Sequence, residues 1–500
     1  MKEVAVMKAK GIIKGTAFFL IFLFLFTVVT EIFRPKWTKT QMETVTIYDF
    51  YHSDKNNIEN LFLGSSQVVT GTNNGYLYEK YGVSSFTLGG SFFTPEVNYY
   101  WLQMIYKRQK KIKTVVMDTS LICELDEPEM GFRKSYGDMP FGIIKLKALF
   151  AHFWGDFDEL MSYIFDIILY HSRWNELERG DVIPDFEGNE IFNGSRVSQN
   201  LWQPTMPFDE FITDNDNVDE VDEKFGVNER QYGYAERIIE FCQAKNIKIL
   251  LIKTPKDSWT KLGSQAAQKL ADKYGVDFLD FSTRSGMETM GFDYRSDMGD
   301  HDHLNLRGAR KLMDCVYDHL SKTVDYTDFR NVDGYEFKKL DLYRDVTENK
   351  DVKTCVNVDE YITLIKNPVF ETVIASSDDV NLEKMNSFKK ELSEIGLDFD
   401  WTELEGKNFV FHIKDGKCTE KIVDDDPIDY ESTVGDRTFS LRVNKDSDVS
   451  PVMQLNKAEW EPAARGINFY TMNVKLDKYC TTFSVMNDGD SLIGMPIYNR

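Results

Sequence analysis

The first residue type in this chain that could do chemistry is a serine behind a short apolar run and a glycine. In Phe62-Leu63-Gly64-Ser65-Ser66 the run Asn60–Leu63 reads as a buried strand, and Gly64-Ser65-Ser66 ends it. Ser66 would then stand at the carboxyl end of that strand. A serine hydroxyl is a weak nucleophile and needs a base within hydrogen-bond reach, itself oriented by a third group. The best base is His303, within the stretch Met298 to Ala309, with Asp300 three residues before it on the same loop. That spacing favours Asp300 as orienter over its neighbours Asp297 and Asp302. A base so held takes the serine proton and returns it to the leaving group. Blander readings exist. Gly64-Ser65-Ser66 could be only a turn that opens a helix. Asp300 to His303 could be a metal-binding cluster, or a polar helix start capped by Asp300 or Asp302.

The elements that would position these residues alternate along the chain. Short strands are expected at Asn60–Leu63, Ser85–Leu88, Lys113–Met117, Ile247–Ile252 and Val276–Phe281. Helices are expected at Val97–Lys107, Arg230–Lys245, Leu262–Tyr274 and Arg307–Leu320. Strands separated by helices imply an α/β fold with a parallel sheet covered on both faces. In such sheets ligands bind at the carboxyl ends of the strands. Between about residues 128 and 227 the rhythm lapses into aromatic-rich helical stretches, Ile143–Phe153 and Phe157–Tyr170, and an acidic run, Asp209–Glu223. This reads as an insertion that shapes a cleft or a partner surface. Asp214 to Asn217 lacks the glycine and terminal glutamate of a calcium loop, so a solvated acidic loop is expected.

The chain has 500 residues and a formal net charge of -22, with 42% hydrophobic and 14% aromatic residues. It is a folding chain of more than one domain. Its acidity argues against nucleic acid as a partner, since a phosphate backbone requires a basic surface. The six cysteines form no C-x-x-C pair, so neither a zinc nor a redox motif is read, and no cofactor is expected. Buried free thiols are the plainer reading, with a bridge among Cys355, Cys418 and Cys480 as the alternative.

Residues 12–33 form an apolar stretch of the length a bilayer core requires. Lys2, Lys8, Lys10 and Lys14 precede it with one acid, Glu3, so residues 1–11 are expected in the cytoplasm and everything after Arg34 outside. No small-x-small site follows, which favours a single-pass anchor over a cleaved signal. Residues 34–325 then form the α/β domain and 326–347, charged and without apolar periodicity, a linker. Residues 348–500 carry a helix at Leu382–Ile395 among short strands, expected at Phe370–Ala375, Phe409–Ile413, Thr438–Val443, Ile467–Val474 and Cys480–Val485. They read as an α+β or mainly β module.

Phe62-Leu63-Gly64-Ser65-Ser66 together with Asp300-x-x-His303-Leu304-Asn305 resembles blocks I and V of the SGNH/GDSL hydrolase superfamily. The likeness covers roughly residues 58–322. Within that superfamily the chain is similar to the membrane-anchored extracytoplasmic branch, the DltD-like proteins of teichoic acid D-alanylation and the AlgX/AlgJ kind of alginate O-acetylation. The resemblance implies a flavodoxin-like three-layer fold and a Ser66, Asp300, His303 triad. It implies an oxyanion hole from the Ser66 backbone N–H and Gly89 or Gly90. The family's Gly-x-Asn-Asp of block III is absent, and Asp118-Thr119-Ser120 stands in its place. A carboxylate there would repel an oxyanion, so Asn73 becomes a candidate donor. Membership implies transfer, or removal, of an acetyl or D-alanyl group on a cell-envelope or exported polysaccharide or teichoic-acid-like acceptor. It also implies a membrane-bound O-acyltransferase as partner. A carbohydrate deacetylase or a non-catalytic polymer-binding scaffold is the alternative.

Two further features would fit a cleft. In Tyr170-His171-Ser172-Arg173-Trp174, Arg173 could bind a carboxylate or phosphate, Trp174 could stack on a sugar, and His171 lies beside them. A structural arginine packed on aromatics is the plainer reading. The C-terminal module, through Asp359-Glu360-Tyr361, Val373 to Asp379 and Arg465 to Tyr470, is similar to ILEI-like domains in permuted order, which implies a glycan-binding accessory role.

Overall fold

The computed structural model describes residues 2–34, 42–91, 93–123, 129–183, 190–198, 200–202, 227–256, 259, 261–376, 380–447, 451–456, 458–460, 466–488 and 491–497. The expected acidic run, with the Asp214–Asn217 loop in it, lies outside them. The chain divides into two compact units. The first is Met1–Val197, Met206–Gly291 and Arg310–Lys338; the second is Ser198–Thr205, Phe292–Ala309 and Lys339–Arg500.

Five parallel strands build the first unit: β1 Asn60–Ser65, β2 Ser85–Gly90, β3 Thr114–Asp118, β4 Lys248–Lys253 and β5 Asp277–Asp280. Their order is β2-β1-β3-β4-β5, and every pairing is parallel. That is a doubly wound α/β sheet, and winding reverses between β1 and β3. Leu61, Leu63, Val115, Met117, Ile249 and Leu251 point to one face. There they join one core with Val97, Trp101 and Ile105 of helix Pro95–Arg108, and with Ile238 and Ile239 of helix Glu229–Ala244. Phe62, Val116 and Leu250 are as deeply buried and, by strand alternation, face the other way. Thr94 and Asn228 cap those two helices with side-chain acceptors, and a proline opens the first.

Ahead of the sheet runs one helix, Lys2–Phe33, whose segment Lys10–Phe33 is long and apolar enough to cross a membrane. The insertion contains helices Glu129–Gly137, Ile143–His152, Phe157–Ile164 and Ile167–Tyr170. The expected single helix at 157–170 breaks because Phe165 leaves helical geometry and its ring packs on Phe26, 5.7 Å away.

The second unit is antiparallel. Its strands are β6 Phe370–Ser376, β7 Asn408–Lys414, β8 Lys417–Asp424, β9 Ile428–Val434, β10 Arg437–Val443, β11 Val452–Leu455, β12 Ala458–Trp460, β13 Ile467–Asn473, β14 Lys478–Asp488 and β15 Ser491–Ile497. A six-stranded sheet runs β8-β7-β6-β13-β14-β15 and a four-stranded one β9-β10-β11-β12. Alternation splits the larger sheet's two faces. Ile374 and Phe469 pack with Tyr361, Leu392 and Trp401, whereas Val373 and Tyr470 pack with Phe439 and Leu441 of the smaller sheet. The expected helix at 382–395 is interrupted by a 3-10 turn at Asn386–Phe388. Asn386 there spends its amide on Asp400 and on the Trp401 N–H, the local bonding that makes asparagine a poor helix interior.

Residues 326–347 are not a bare linker. Tyr326 meets Thr114 at 2.8 Å, Thr327 donates to Glu59 at 2.7 Å and Tyr335 meets Ser84 at 2.9 Å. From Leu340 a helix runs to Thr354 and buries Tyr343, Val346 and Val352. The loop Phe292–Ala309, expected inside the first domain, groups with the second unit. Arg307 there makes a bidentate ion pair with Glu360, at 2.6 and 2.9 Å.

Candidate active site

Ser66 is the first residue of helix Ser66–Gly71, which starts where β1 ends. Ser65 caps that helix, its Oγ accepting the Gln67 N–H at 3.3 Å. The reversal needs Gly64, because a Cβ there would fall 2.4 Å from Val68 Cγ2 and 2.8 Å from Asp118 Cβ. Gly64-Ser65-Ser66 is thus a turn that opens a helix, and it sets Ser66 at the strand's end. The doubly wound order places that end at the reversal of winding, where such sheets bind ligands.

Around the turn lies a buried polar network that the sequence did not announce. Ser65 Oγ donates to Asp118 Oδ2 at 3.3 Å. Ser120 Oγ is 2.7 Å from both Asp118 Oδ1 and Gln67 Oε1, its one proton serving one of them at a time. Lys253, fully buried at the end of β4, donates to Gln67 Oε1 at 2.7 Å and to Ser120 Oγ at 3.1 Å. Thr254 adds a bond to Gln67 at 3.2 Å, and the Trp259 ring lies 4.9 Å from the Lys253 ammonium. The only sequence signal was a lysine closing the apolar run Ile249–Ile252. Asp118 is thus bonded to two hydroxyls and the Ser120 N–H.

Asp300 and His303 are brought together within the second unit. His303 Nδ1 lies 2.9 Å from Asp300 Oδ1 and 3.0 Å from Oδ2. The same carboxylate accepts the backbone N–H groups of Asp302 and His303, at 2.8 and 2.9 Å. Partial burial pushes the Asp300 carboxyl up, but the His303 ring and these two N–H donors outweigh it and hold it below the ordinary aspartate value. A carboxylate on Nδ1 assigns the ring proton there and leaves Nε2 as the basic nitrogen. The loop is stapled by Asn305, fully buried, whose amide donates to Ser296 O at 2.7 Å and Met298 O at 3.2 Å. Asn305 Oδ1 also accepts the Arg307 and Gly308 N–H groups. It, rather than Asp300 or Asp302, caps helix Leu306–Leu320. Ser66 belongs to the first unit and the Asp300–His303 pair to the second.

The other expected residues fall differently. A Cβ on Gly89 would lie 2.8 Å from Gly64 O and 2.9 Å from Ser65 O, so that glycine backs directly on the serine turn. The buried Glu43 lies against Gly90 and accepts the Ser91 N–H at 2.7 Å. Asn73 is almost wholly buried and its carbonyl caps helix Asn74–Tyr81 through the Tyr76 N–H at 3.0 Å. Arg173 has a structural post, donating to Phe33 O at 2.6 Å and Asp181 Oδ1 at 3.0 Å. His171 Nδ1 sits 3.0 Å from Ile168 O, and Trp174 is 72% exposed.

No protein-family model and no curated protein matches the chain. Among solved structures, a crystal structure of a "putative GDSL-like lipase" from Parabacteroides merdae is placed beside it, with 12% identity and a TM-score of 0.24. The match covers 54% of this chain and 98% of that one. A score of that size carries no argument about either fold or function.

Proposed function

We propose that this chain is a membrane-anchored serine esterase or acyltransferase of the SGNH type, moving an acetyl or D-alanyl group on a cell-envelope or exported polysaccharide. The observation that carries the reading is the Asp300–His303 pair. Its carboxylate holds Nδ1 and leaves Nε2 as the nitrogen that would take a serine proton. Ser66, at the carboxyl end of β1, is the nucleophile of this proposal. In the proposed cycle Ser66 Oγ attacks the acyl carbonyl while His303 takes its proton. The tetrahedral intermediate collapses, the C–O bond to the leaving alcohol breaks, and the imidazolium returns the proton to that alcohol. A sugar hydroxyl or water then attacks the acyl-enzyme with His303 again as base, the acyl C–O bond to Ser66 Oγ breaks, and the imidazolium returns the proton to Ser66. The Ser66 and Gly89 N–H groups are the donors proposed for the oxyanion.

A scaffold without catalysis is the second reading. It draws on Glu43 and Asp118, carboxylates beside Gly90 and Ser65. One experiment separates the two. The full chain in detergent is treated with an activated-serine probe and a chromogenic acetyl ester, alongside Ser66→Ala and His303→Ala. Labelling of the wild type alone is expected, and equal labelling of all three removes the triad. Oligosaccharide acceptors added to the active protein then distinguish transfer from hydrolysis.

A further inference from the structure

Outside the apolar helix, fourteen large apolar side chains are exposed among the described residues, and ten of them lie between Phe141 and Ile183. Single exposed apolar residues are ordinary, but a concentration in one segment marks a surface that meets something. Trp154 is 82% exposed, Phe157 70%, Trp174 72% and Ile183 62%. All belong to the insertion of the first unit.

What they meet is indicated by where the insertion touches the apolar helix. Phe165 packs edge-on against Phe26 at 5.7 Å. Phe26 lies seven residues before Phe33, about 10 Å along the axis at roughly 1.5 Å per residue. Arg173 binds the Phe33 carbonyl, and Arg34 binds the Gly137 carbonyl, each at 2.6 Å. The insertion therefore grips the helix over its last turns and not only at its tip. If Lys10–Phe33 spans a bilayer, the insertion's contact with Phe26 lies below the level of the headgroups. Amphipathic elements settle to about 5–10 Å into that boundary, with tryptophans favoured there.

We infer that the insertion is a membrane-seated cuff, its apolar edge immersed in the leaflet that the helix's C-terminal end enters, with phospholipid as the occupant. This rests on the anchor reading of the apolar helix. The chain's formal charge of -22 repels an anionic surface, so the contact is hydrophobic and insensitive to salt. The cuff and Ser66 share one compact unit.

The test uses the full chain in zwitterionic liposomes doped with nitroxide-labelled phospholipid. Wild type, Trp154→Phe and Trp174→Phe are compared, with Phe22→Trp as a reporter within the apolar helix. Lipid-quenched emission is expected to drop in both Trp→Phe variants, with aqueous iodide ineffective and high salt without effect. If the Phe22→Trp reporter is quenched by lipid while Trp174 is quenched by iodide, the anchor stands and the cuff is overturned. Protection of Trp174 from both quenchers would mean that a second copy covers the edge, which also overturns it. A Phe22→Trp reporter untouched by lipid removes the anchor, and the cuff with it.

Discussion

Asp300 is a half-exposed carboxylate whose charge is held by one imidazole and two backbone N–H groups. Replacing it by asparagine keeps the shape, loses the charge and reverses the preference for a proton on Nδ1. Asp300→Asn is expected to slow labelling by an activated-serine probe by about 10²–10⁴-fold, with the fold retained. A pH dependence accompanies this. The folded carboxyl titrates below its unfolded value of about 3.9. Its pairing therefore stabilises the protein fully above that pH, and the contribution is lost as pH falls through the depressed folded value. The stability gap between wild type and Asp300→Asn should be present near neutrality and close as pH falls below about 4. A gap that persists in strong acid would contradict the pairing. At this scale the sequence was informative where spacing is local: three residues separate Asp300 from His303. It was silent on Gln67, Ser120 and Lys253, whose partners lie 53 to 187 residues apart. Nothing in a local pattern marks such a network.

At the scale of elements, β1, β3 and β4 were legible because strands buried on both faces read as continuous apolar runs. The helices between them were legible from their period. Missed elements have physical reasons. β8 is a charged edge strand, largely exposed, and charges that protect an edge also erase its strand pattern. Helix Leu340–Thr354 buries Asn349, Lys350 and Thr354 beside its few apolar residues, so its buried face does not read as apolar. Glycine supplies the sharpest test of the serine turn. Between β1 and β2 a side chain on Gly89 would meet two backbone carbonyls, which cannot move aside without parting the strands. Gly89→Ala is expected to cost about 1–3 kcal/mol. Gly233→Ala has the opposite sign. That helical glycine has open space around it, and alanine there should gain about 0.5–1 kcal/mol. Thermal unfolding in detergent reads both. Equal effects would show that the close approach of β1 and β2 is not real.

For the molecule as a whole, the α/β and antiparallel halves and the apolar helix were visible in composition and pattern. The boundary between units was not. It is set by Arg307–Glu360 and by the packing of Tyr326 to Phe337, contacts between groups distant in sequence. Covalent cross-links do not help hold either unit. Cys123, Cys242 and Cys315 lie in the first and Cys355, Cys418 and Cys480 in the second, and all six are free thiols. The alternative of a bridge among the last three is thus not realised. Cys480 instead donates to Asn349 Oδ1 at 2.6 Å and Cys355 to Asn357 O at 3.3 Å. Burial pushes the thiols of Cys123, Cys242, Cys355 and Cys480 up to about 12, so each is both inaccessible and protonated at neutral pH. In the folded chain a maleimide should therefore modify only the partly exposed Cys315 and Cys418, and all six should react after denaturation. Reductant should leave the melting transition where it is. A non-reduced chain lighter by two hydrogens, or a melt that shifts down with reductant, would show that an oxidising compartment has forced a bridge at the expense of these packed thiols.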